Sequence, residues 1–337
     1  MASCLVTGVN GFVGTNLAQW LRRRDWKVRG LIRSQRHQET CQRLDVEPVL
    51  GALDDAAGLE RAVADVEAVF HVAGRTRALK PAEFHRDNVE GTRHLVEACA
   101  RRTSPPVVVI VSSLAAGGTG LPARPRCESD EEAPLSRYGR SKLAAEQAAA
   151  GWAGEVPISI VRPPIIFGPH DLAGLTMYRG MKFFPIHPTP GLRAFPVSIV
   201  YVEDLCAALE GVAQRGERLG PASYERDRSQ GKYYVTAQRD ITYGEMGKMG
   251  ARAAGWAVAA VPMPMVVFWA AGLLGEVVGR ALGSPAVVNL DKSREAAAPG
   301  WVCSGSKISQ QLGIRPTQSL EDRFAQTVAW YRQHEWL

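Results

Sequence analysis

A doubly wound parallel α/β sheet is the fold class this sequence predicts. Three observations carry the expectation. Apolar, strand-like runs alternate with helix-like runs through the first half. A glycine-rich turn follows the first apolar run. A tyrosine and a lysine, Tyr138 and Lys142, share one face of a later helix. Alternation of this kind builds right-handed βαβ units, and hence a parallel sheet covered on both faces.

The first strand falls near 2–7, where Cys4-Leu5-Val6 is apolar, and a helical pattern runs over 12–24. Further strands are expected near 27–32, 46–50, 67–72, 106–112 and 156–161, with helices near 55–64, 82–101 and 137–150. Between the first strand and helix lies Thr7-Gly8-Val9-Asn10-Gly11-Phe12-Val13-Gly14. Strand, glycine turn, helix is the setting a dinucleotide site requires. Gly8 permits the tight turn, Gly11 lets a pyrophosphate approach the backbone, and Gly14 lets the helix pack close to the sheet. The helix N-terminus supplies free N–H groups to phosphates. No Gly-Lys-Ser/Thr follows, which argues against a nucleoside-triphosphate loop.

Tyr138-Gly139-Arg140-Ser141-Lys142 puts a phenol and an amine one helical turn apart. A nearby ammonium lowers the pKa of a phenol, and a tuned tyrosine can exchange a proton with a substrate oxygen.

Composition narrows the class. Hydrophobic residues make up 46% of 337, enough for a sizeable core, and the six cysteines form no C-x-x-C pair. That argues against a zinc or redox motif and suits reduced thiols in a cytoplasmic protein. The chain runs straight into its first strand, so no secretory signal is expected. Residues 22–43 are rich in arginine, but lack the aromatic interleaving of a nucleic-acid surface.

After Gly168 the pattern is irregular. Pro169 to Pro196 carries several prolines together with Phe183 and Phe184, and reads as substrate-binding structure. A helix is expected at 203–213, a strand near 232–236, a helix after Thr242 and a last amphipathic helix at 320–333. The apolar stretch from Met263 to Leu274 falls short of the ~20 residues that span a bilayer. It reads as a buried helix, with a greasy substrate wall or a membrane-surface contact as the sharper alternatives. Residues 1–168 are assigned mainly to dinucleotide binding. Residues 169–337 are assigned mainly to a smaller substrate-binding region, with some segments returning to the sheet.

Taken together, these motifs resemble the extended branch of the short-chain dehydrogenase/reductase superfamily, the NAD(P)-dependent epimerases and dehydratases. Ser112-Ser113 ends the run Val107 to Val111, as that family's catalytic serine ends its fifth strand. Arg162-Pro163-Pro164-Ile165-Ile166-Phe167-Gly168-Pro169 is similar to its loop beside the nicotinamide. His71-Val72-Ala73-Gly74, Asp87-Asn88-Val89-Glu90-Gly91-Thr92 and Tyr201-Val202-Glu203-Asp204-Leu205 match further motifs. The resemblance implies a Rossmann-type sheet and an oxidoreductase. Tyr138 is then the general acid/base, Lys142 its partner on the nicotinamide ribose, and Ser113 the donor to the substrate oxygen, with Ser112 the competing choice. It further implies cofactor contacts from Thr7, Gly8, Gly11, Phe12, Val13, Gly14, Ala73, Asn88 and Pro163. His71 reads as a strand-end packing residue.

The second strand carries Arg33 at its end, with Ile32 where NAD-preferring relatives place an acid. A guanidinium suits a 2′-phosphate, which a carboxylate would repel. NADP is therefore expected, with NAD the alternative, in a pattern that resembles dihydroflavonol 4-reductases and 3β-hydroxysteroid dehydrogenases. Gly51-Ala52-Leu53 lacks the Asp that relatives use against adenine, which leaves the Leu53 backbone and packing. The expected reaction interconverts a carbonyl and a secondary alcohol on a hydrophobic small molecule. A nucleotide-sugar 4-epimerase with bound NAD is the alternative, with Arg193 as its diphosphate contact, and a redox-sensing NADP-binding protein is a third reading. Expected partners are a small molecule and no nucleic acid. No transmembrane segment is expected, while peripheral membrane contact and a homodimer stay open.

Overall fold

The first apolar run becomes the strand around which the sheet is ordered. A computed structural model describes residues 2–221, 224 and 227–337. Six strands, β1 (Ser3–Thr7), β2 (Lys27–Ile32), β3 (Glu47–Leu50), β4 (Ala68–His71), β5 (Val107–Val111) and β6 (Ile158–Arg162), join Lys232–Tyr234 in one sheet. Its order is Lys232–Tyr234, β6, β5, β4, β1, β2, β3, and every ladder is parallel. The chain runs outward from β1 to β2 and β3, then returns to lay β4 on the other side. Ligands of such sheets bind where the order reverses, at the carboxyl ends of the strands.

Burial on both faces explains the unbroken apolar strands. Successive residues of β1 point to opposite faces. Cys4 and Val6 pack with Leu17 and Leu21 of the Phe12–Arg22 helix and with Leu205 and Leu209 of the Val202–Arg215 helix. Leu5 faces the other layer, with Leu59, Leu95 and Ala149. That layer contains the Ala56–Ala62, Gly91–Ala100 and Arg137–Ala150 helices.

Beyond Gly168 the structure is more regular than its prolines suggest. Asp171 accepts from the Ala173 amide and starts a helix at Leu172–Phe183. Pro185, Pro188 and Pro190 come after that helix. The last two lie in the Ile186–Pro190 strand, which pairs with Ala259–Met263 in a ladder of only two strands. An edge of that kind tolerates residues without an N–H. Thr242 and Glu245 form a reciprocal capping box at the Tyr243–Ala253 helix, and Leu320–Gln333 closes the chain as a helix.

One expectation fails here. The apolar stretch forms a helix, Met265–Ala281, but not a buried one. Only Gly272 and Gly279 are buried in it. Glycines make its contact side, because a Cβ at Gly272 would strike the Ser293 hydroxyl and one at Gly275 the Val288 carbonyl. The large apolar residues consequently point away from the protein.

Gly14 marks the tightest approach of helix to sheet. A Cβ there would sit 2.0 Å from the Gly8 carbonyl oxygen. Gly14→Ala is expected to lower stability by ~1–3 kcal/mol, the scale of overpacking, and to remove nucleotide-induced thermal stabilisation. A melting curve with and without NADP checks both.

Candidate active site

The glycine turn opens the site. Gly8 has φ 70° and lies against the Ala73 backbone, 2.9 Å from where a Cβ would stand. Its carbonyl accepts from the Gly11 amide at 2.9 Å, which closes the turn. Gly11 is the N-cap and offers no side-chain acceptor, so the first-turn amides of Phe12, Val13 and Gly14 carry no side-chain cap. Uncapped amides beside a sheet switch point are a cradle for an anion, and the bare backbone fits a pyrophosphate.

Thr7 does not reach the cleft surface. It is buried, accepts from the Ala73 amide at 3.1 Å and meets His71 Nδ1 at 2.8 Å. The other nitrogen of His71 meets Thr92 Oγ1 at 2.9 Å. Burial, reinforced by the Lys142 charge, brings the His71 pKa down to about 3, so the ring stays neutral. It joins strand end to helix as a packing residue.

A cleft of about 1430 Å³ is lined by the glycine turn and by Tyr138. Gly8, Gly11, Phe12, Val13 and Gly14 line its middle, because β1 lies between β2 and β3, which lead to Arg33 and Leu53, and β4, β5 and β6, which lead to Ala73, Ser113 and Pro163 toward Tyr138. Asn88 and Lys142 stand behind this wall. Asn88 is buried, accepts from the Arg75 amide at 2.6 Å, and donates to the Arg75 carbonyl and to Ser141 Oγ. It thereby fixes the loop after β4 against the Arg137–Ala150 helix.

Ser136 starts that helix by accepting from the Gly139 amide at 2.9 Å. Tyr138 and Lys142 then fall one turn apart, on the side toward β5. The two serines after β5 separate clearly. Ser113 Oγ accepts from the Ala115 amide at 3.1 Å and lines the cleft together with Tyr138. Ser112 donates to the Glu146 carboxylate instead.

The pKa values run against the simple expectation for the pair. Burial of the phenol end pushes Tyr138 up to about 12; the nearby Ser113 hydroxyl opposes this and the Glu295 charge adds to it. Lys142 does not offset the burial, and its ammonium donates to the Val111 carbonyl at 2.7 Å. Burial draws Lys142 down to about 8, opposed by the Glu146 carboxylate.

A buried charge network backs the site. Glu146 accepts from Arg162 Nε at 3.0 Å, from Tyr224 at 2.7 Å and from Ser112. Arg162 also donates to Glu132 at 3.0 Å, and Lys232 donates to Glu132 at 2.9 Å. Burial alone would raise Glu132, but Arg162 and Lys232 overcome it and hold its pKa at about 2.

Several residues at the site escaped the sequence reading. Asp291 accepts from the amides of Arg137 at 2.8 Å and Tyr138 at 3.1 Å, across 154 and 153 residues of sequence. From the same short helix, Leu290–Ala296, Lys292 Nζ lies 5.8 Å from the Tyr138 ring centre. No local pattern near Tyr138 announces such contacts. Asp54 lines the cleft directly after Leu53, and Asp54-Asp55 was visible in the sequence. Asp55 caps the Ala56–Ala62 helix, while Asp54 remains at the cleft. The Leu53 carbonyl is occupied by His94 Nδ1 at 2.9 Å.

Two expected walls are elsewhere. Phe183 and Phe184 are 77% and 70% exposed and do not line the cleft, because they form the last residue and the C-cap of the Leu172–Phe183 helix and point to solvent. Met263 to Leu274 and Arg193 are also absent from its lining.

Comparison with known proteins decides the family. The model of the NAD-dependent epimerase/dehydratase family matches residues 4–184. The chain is also 30% identical over 332 residues to the ceramide reductase of Caulobacter vibrioides, covering 98% of this chain and 95% of that one. This chain belongs to the NAD-dependent epimerase/dehydratase family. A putative dihydroflavonol 4-reductase of Synechocystis is a further member-like relative, 28% identical over 346 residues, 99% of this chain and 96% of that one. A UDP-glucose 4-epimerase of Thermotoga maritima, solved with UDP-glucose, shares the fold at TM-score 0.76 and 19% identity, with 99% of each chain covered. The chain is accordingly an NAD(P)-dependent oxidoreductase of the extended short-chain dehydrogenase/reductase type.

Within this family member the side chains of Arg162 and Glu146 are fully buried. Removing one charge of a buried pair leaves the other uncompensated. Glu146→Gln is expected to lower unfolding free energy by about 3–5 kcal/mol, measured by urea titration. An unchanged midpoint would contradict that role.

Proposed function

We propose that the protein is an NADP(H)-dependent reductase that interconverts a carbonyl and a secondary alcohol on a lipophilic small molecule. The observation that carries the cofactor reading is Arg33. It is exposed just past the end of β2 and lines the cleft, and the residue before it, Ile32, is apolar and buried, so no acid stands there. Gly8, Gly11 and the amides of Phe12, Val13 and Gly14 would hold the pyrophosphate, Arg33 the 2′-phosphate, and Ala73 and Pro163 the walls toward the nicotinamide. When bound, the nicotinamide supplies or accepts hydride.

The chain's own residues manage the proton. Tyr138, with a pKa pushed up to about 12, is protonated near neutral pH and can donate to a carbonyl oxygen in reduction. Ser113 lines the same cleft as the phenol and would donate to that oxygen as well. Lys142, held by the Val111 carbonyl, stands within reach of a ribose at Gly74, since its ammonium lies 3.5 Å from where a Gly74 Cβ would be. Asn88 and Asp291 keep the loop and the helix in register around it.

The lipophilic substrate rests on the relatives rather than on Phe183 and Phe184. A relative spanning nearly the whole chain is a ceramide reductase, which acts on a lipid. One observation favours the second reading, a nucleotide-sugar 4-epimerase: Arg77 and Lys292 line the cleft beside Tyr138 and could serve a diphosphate.

Tyr138→Phe should abolish nearly all turnover while keeping nucleotide binding, and Lys142→Ala should weaken both. A Tyr138→Phe enzyme with most of the wild-type rate would remove the acid/base assignment. Arg33→Ala should lose ~1–3 kcal/mol in NADP affinity, the scale of a charge-assisted hydrogen bond, and change NAD affinity much less. Calorimetric titration with both nucleotides separates the cases, and equal losses would sink the 2′-phosphate role. A panel of steroid, terpenoid and long-chain ketones beside UDP- and dTDP-sugars, followed by NADPH consumption, distinguishes reductase from epimerase.

A further inference from the structure

The outer face of the Met265–Ala281 helix is the least explained surface of the molecule. Val266, Trp269, Leu273, Leu274, Val277 and Val278 are all exposed on it, Val266 by 70% and Leu274 by 65%. At 100° per residue these positions fall on one broad arc, opposite the glycines that touch the protein. The only charges in the helix are Glu276 and Arg280, which pair with each other at 2.8 Å. A monomer in water rarely exposes a contiguous apolar face of this kind without using it.

Basic residues lie along the strand ladder that leads into this helix. The Ile186–Pro190 strand pairs with Ala259–Met263, and Gly191 bridges to Met263, two residues before the helix begins. Leu192 and Arg193 therefore lie at the helix N-terminal end, and both are exposed. At the far end of the same ladder stand Lys182, Phe183 and Phe184, again exposed. From Leu172 to Tyr201 the charged residues are Arg179, Lys182 and Arg193, with no acid among them. Lys182 and Arg193 have no ion-pair partner among the described residues.

We infer that this face docks on an anionic lipid bilayer surface, with the Met265–Ala281 helix lying in the headgroup boundary. Among the described residues no helix is long and apolar enough to cross a membrane, so this helix would lie along the surface. An apolar arc sinks into the acyl boundary and the cations by the ladder meet anionic headgroups. The same charges disfavour a second copy as occupant. A two-fold interface sets a patch against itself, and here would bring unpaired cations of one sign together.

Position links the face to the cleft. The turn after the helix places Ser284, Pro285 and Val287 on the wall of the cleft that holds Tyr138. Gly275 and Glu276 border the smaller hollow beside Tyr138. Docking would set the mouth of the site at the lipid surface. The inference goes beyond the reductase reading and does not need it, because binding to lipid is measured without turnover.

The experiment is flotation of the full chain with vesicles of phosphatidylcholine alone and of phosphatidylcholine with phosphatidylglycerol. Wild type should float with the anionic vesicles, and salt should weaken the binding. The double variant Leu274→Glu/Val277→Glu should bind at least ~tenfold more weakly, as should Lys182→Glu/Arg193→Glu. Both variants should keep wild-type thermal stability, NADP-induced stabilisation and oligomeric state by light scattering, which shows that they fold. Absence of flotation by wild type, or flotation that neither variant diminishes, would overturn the inference. So would a wild-type dimer that Leu274→Glu/Val277→Glu splits into monomers, since the face would then belong to a second copy. If wild type floats as expected but reduces no ketone, the docking surface stands and the reductase reading falls.

Discussion

The site depends on one buried ion pair. Glu146 and Arg162 come from different elements, the Arg137–Ala150 helix and the end of β6, and both side chains are sealed from water. Their mutual attraction in a low-dielectric setting must offset two desolvation costs, and it does so only when every remaining lone pair is used. Ser112 and Tyr224 complete Glu146, while Glu132 and Lys232 extend the network. The consequence is positional. The helix that carries Tyr138 and Lys142 is tied to the carboxyl end of the sheet, and Ser112 is turned inward. Ser113 is left to face the cleft.

A second constraint acts from the C-terminal half. Asp291 accepts from two backbone amides at the start of the same helix, which satisfies donors that would otherwise lack partners. A carboxylate in that place also complements the helix dipole. Lys292 and Glu295 arrive with it, so a segment about 150 residues away in sequence brings charges beside the phenol, of which Glu295 adds to the effect of burial. Burial and Glu295 raise the Tyr138 pKa together. A phenol is protonated near neutral pH with or without this shift, and the shift alone makes it a weaker proton donor.

The sheet was legible because its signals are local. β2 at 27–32, the helix at 137–150 and the helix at 320–333 end where periodicity and caps say they should. The glycine turn was legible because each glycine answers a steric demand that the chain itself creates. Asp291 was not legible, since a long-range cap leaves no mark near the helix it caps. The Leu172–Phe183 helix was obscured by the prolines that follow it. The Met265–Ala281 helix was misread for a different reason. Apolar composition reports hydrophobicity, but not which side meets the protein, and here the contact side is made of glycines.

The most direct measurement of carbonyl reduction at this site follows the hydrogen itself. Turnover of a lipophilic ketone with NADPH deuterated at the nicotinamide C4 should give an alcohol bearing the deuterium on its carbinol carbon. One nucleotide should be oxidised for each alcohol formed. Tight retention of NAD, with interconversion of sugar-nucleotide epimers and no net nucleotide oxidation, would contradict the account.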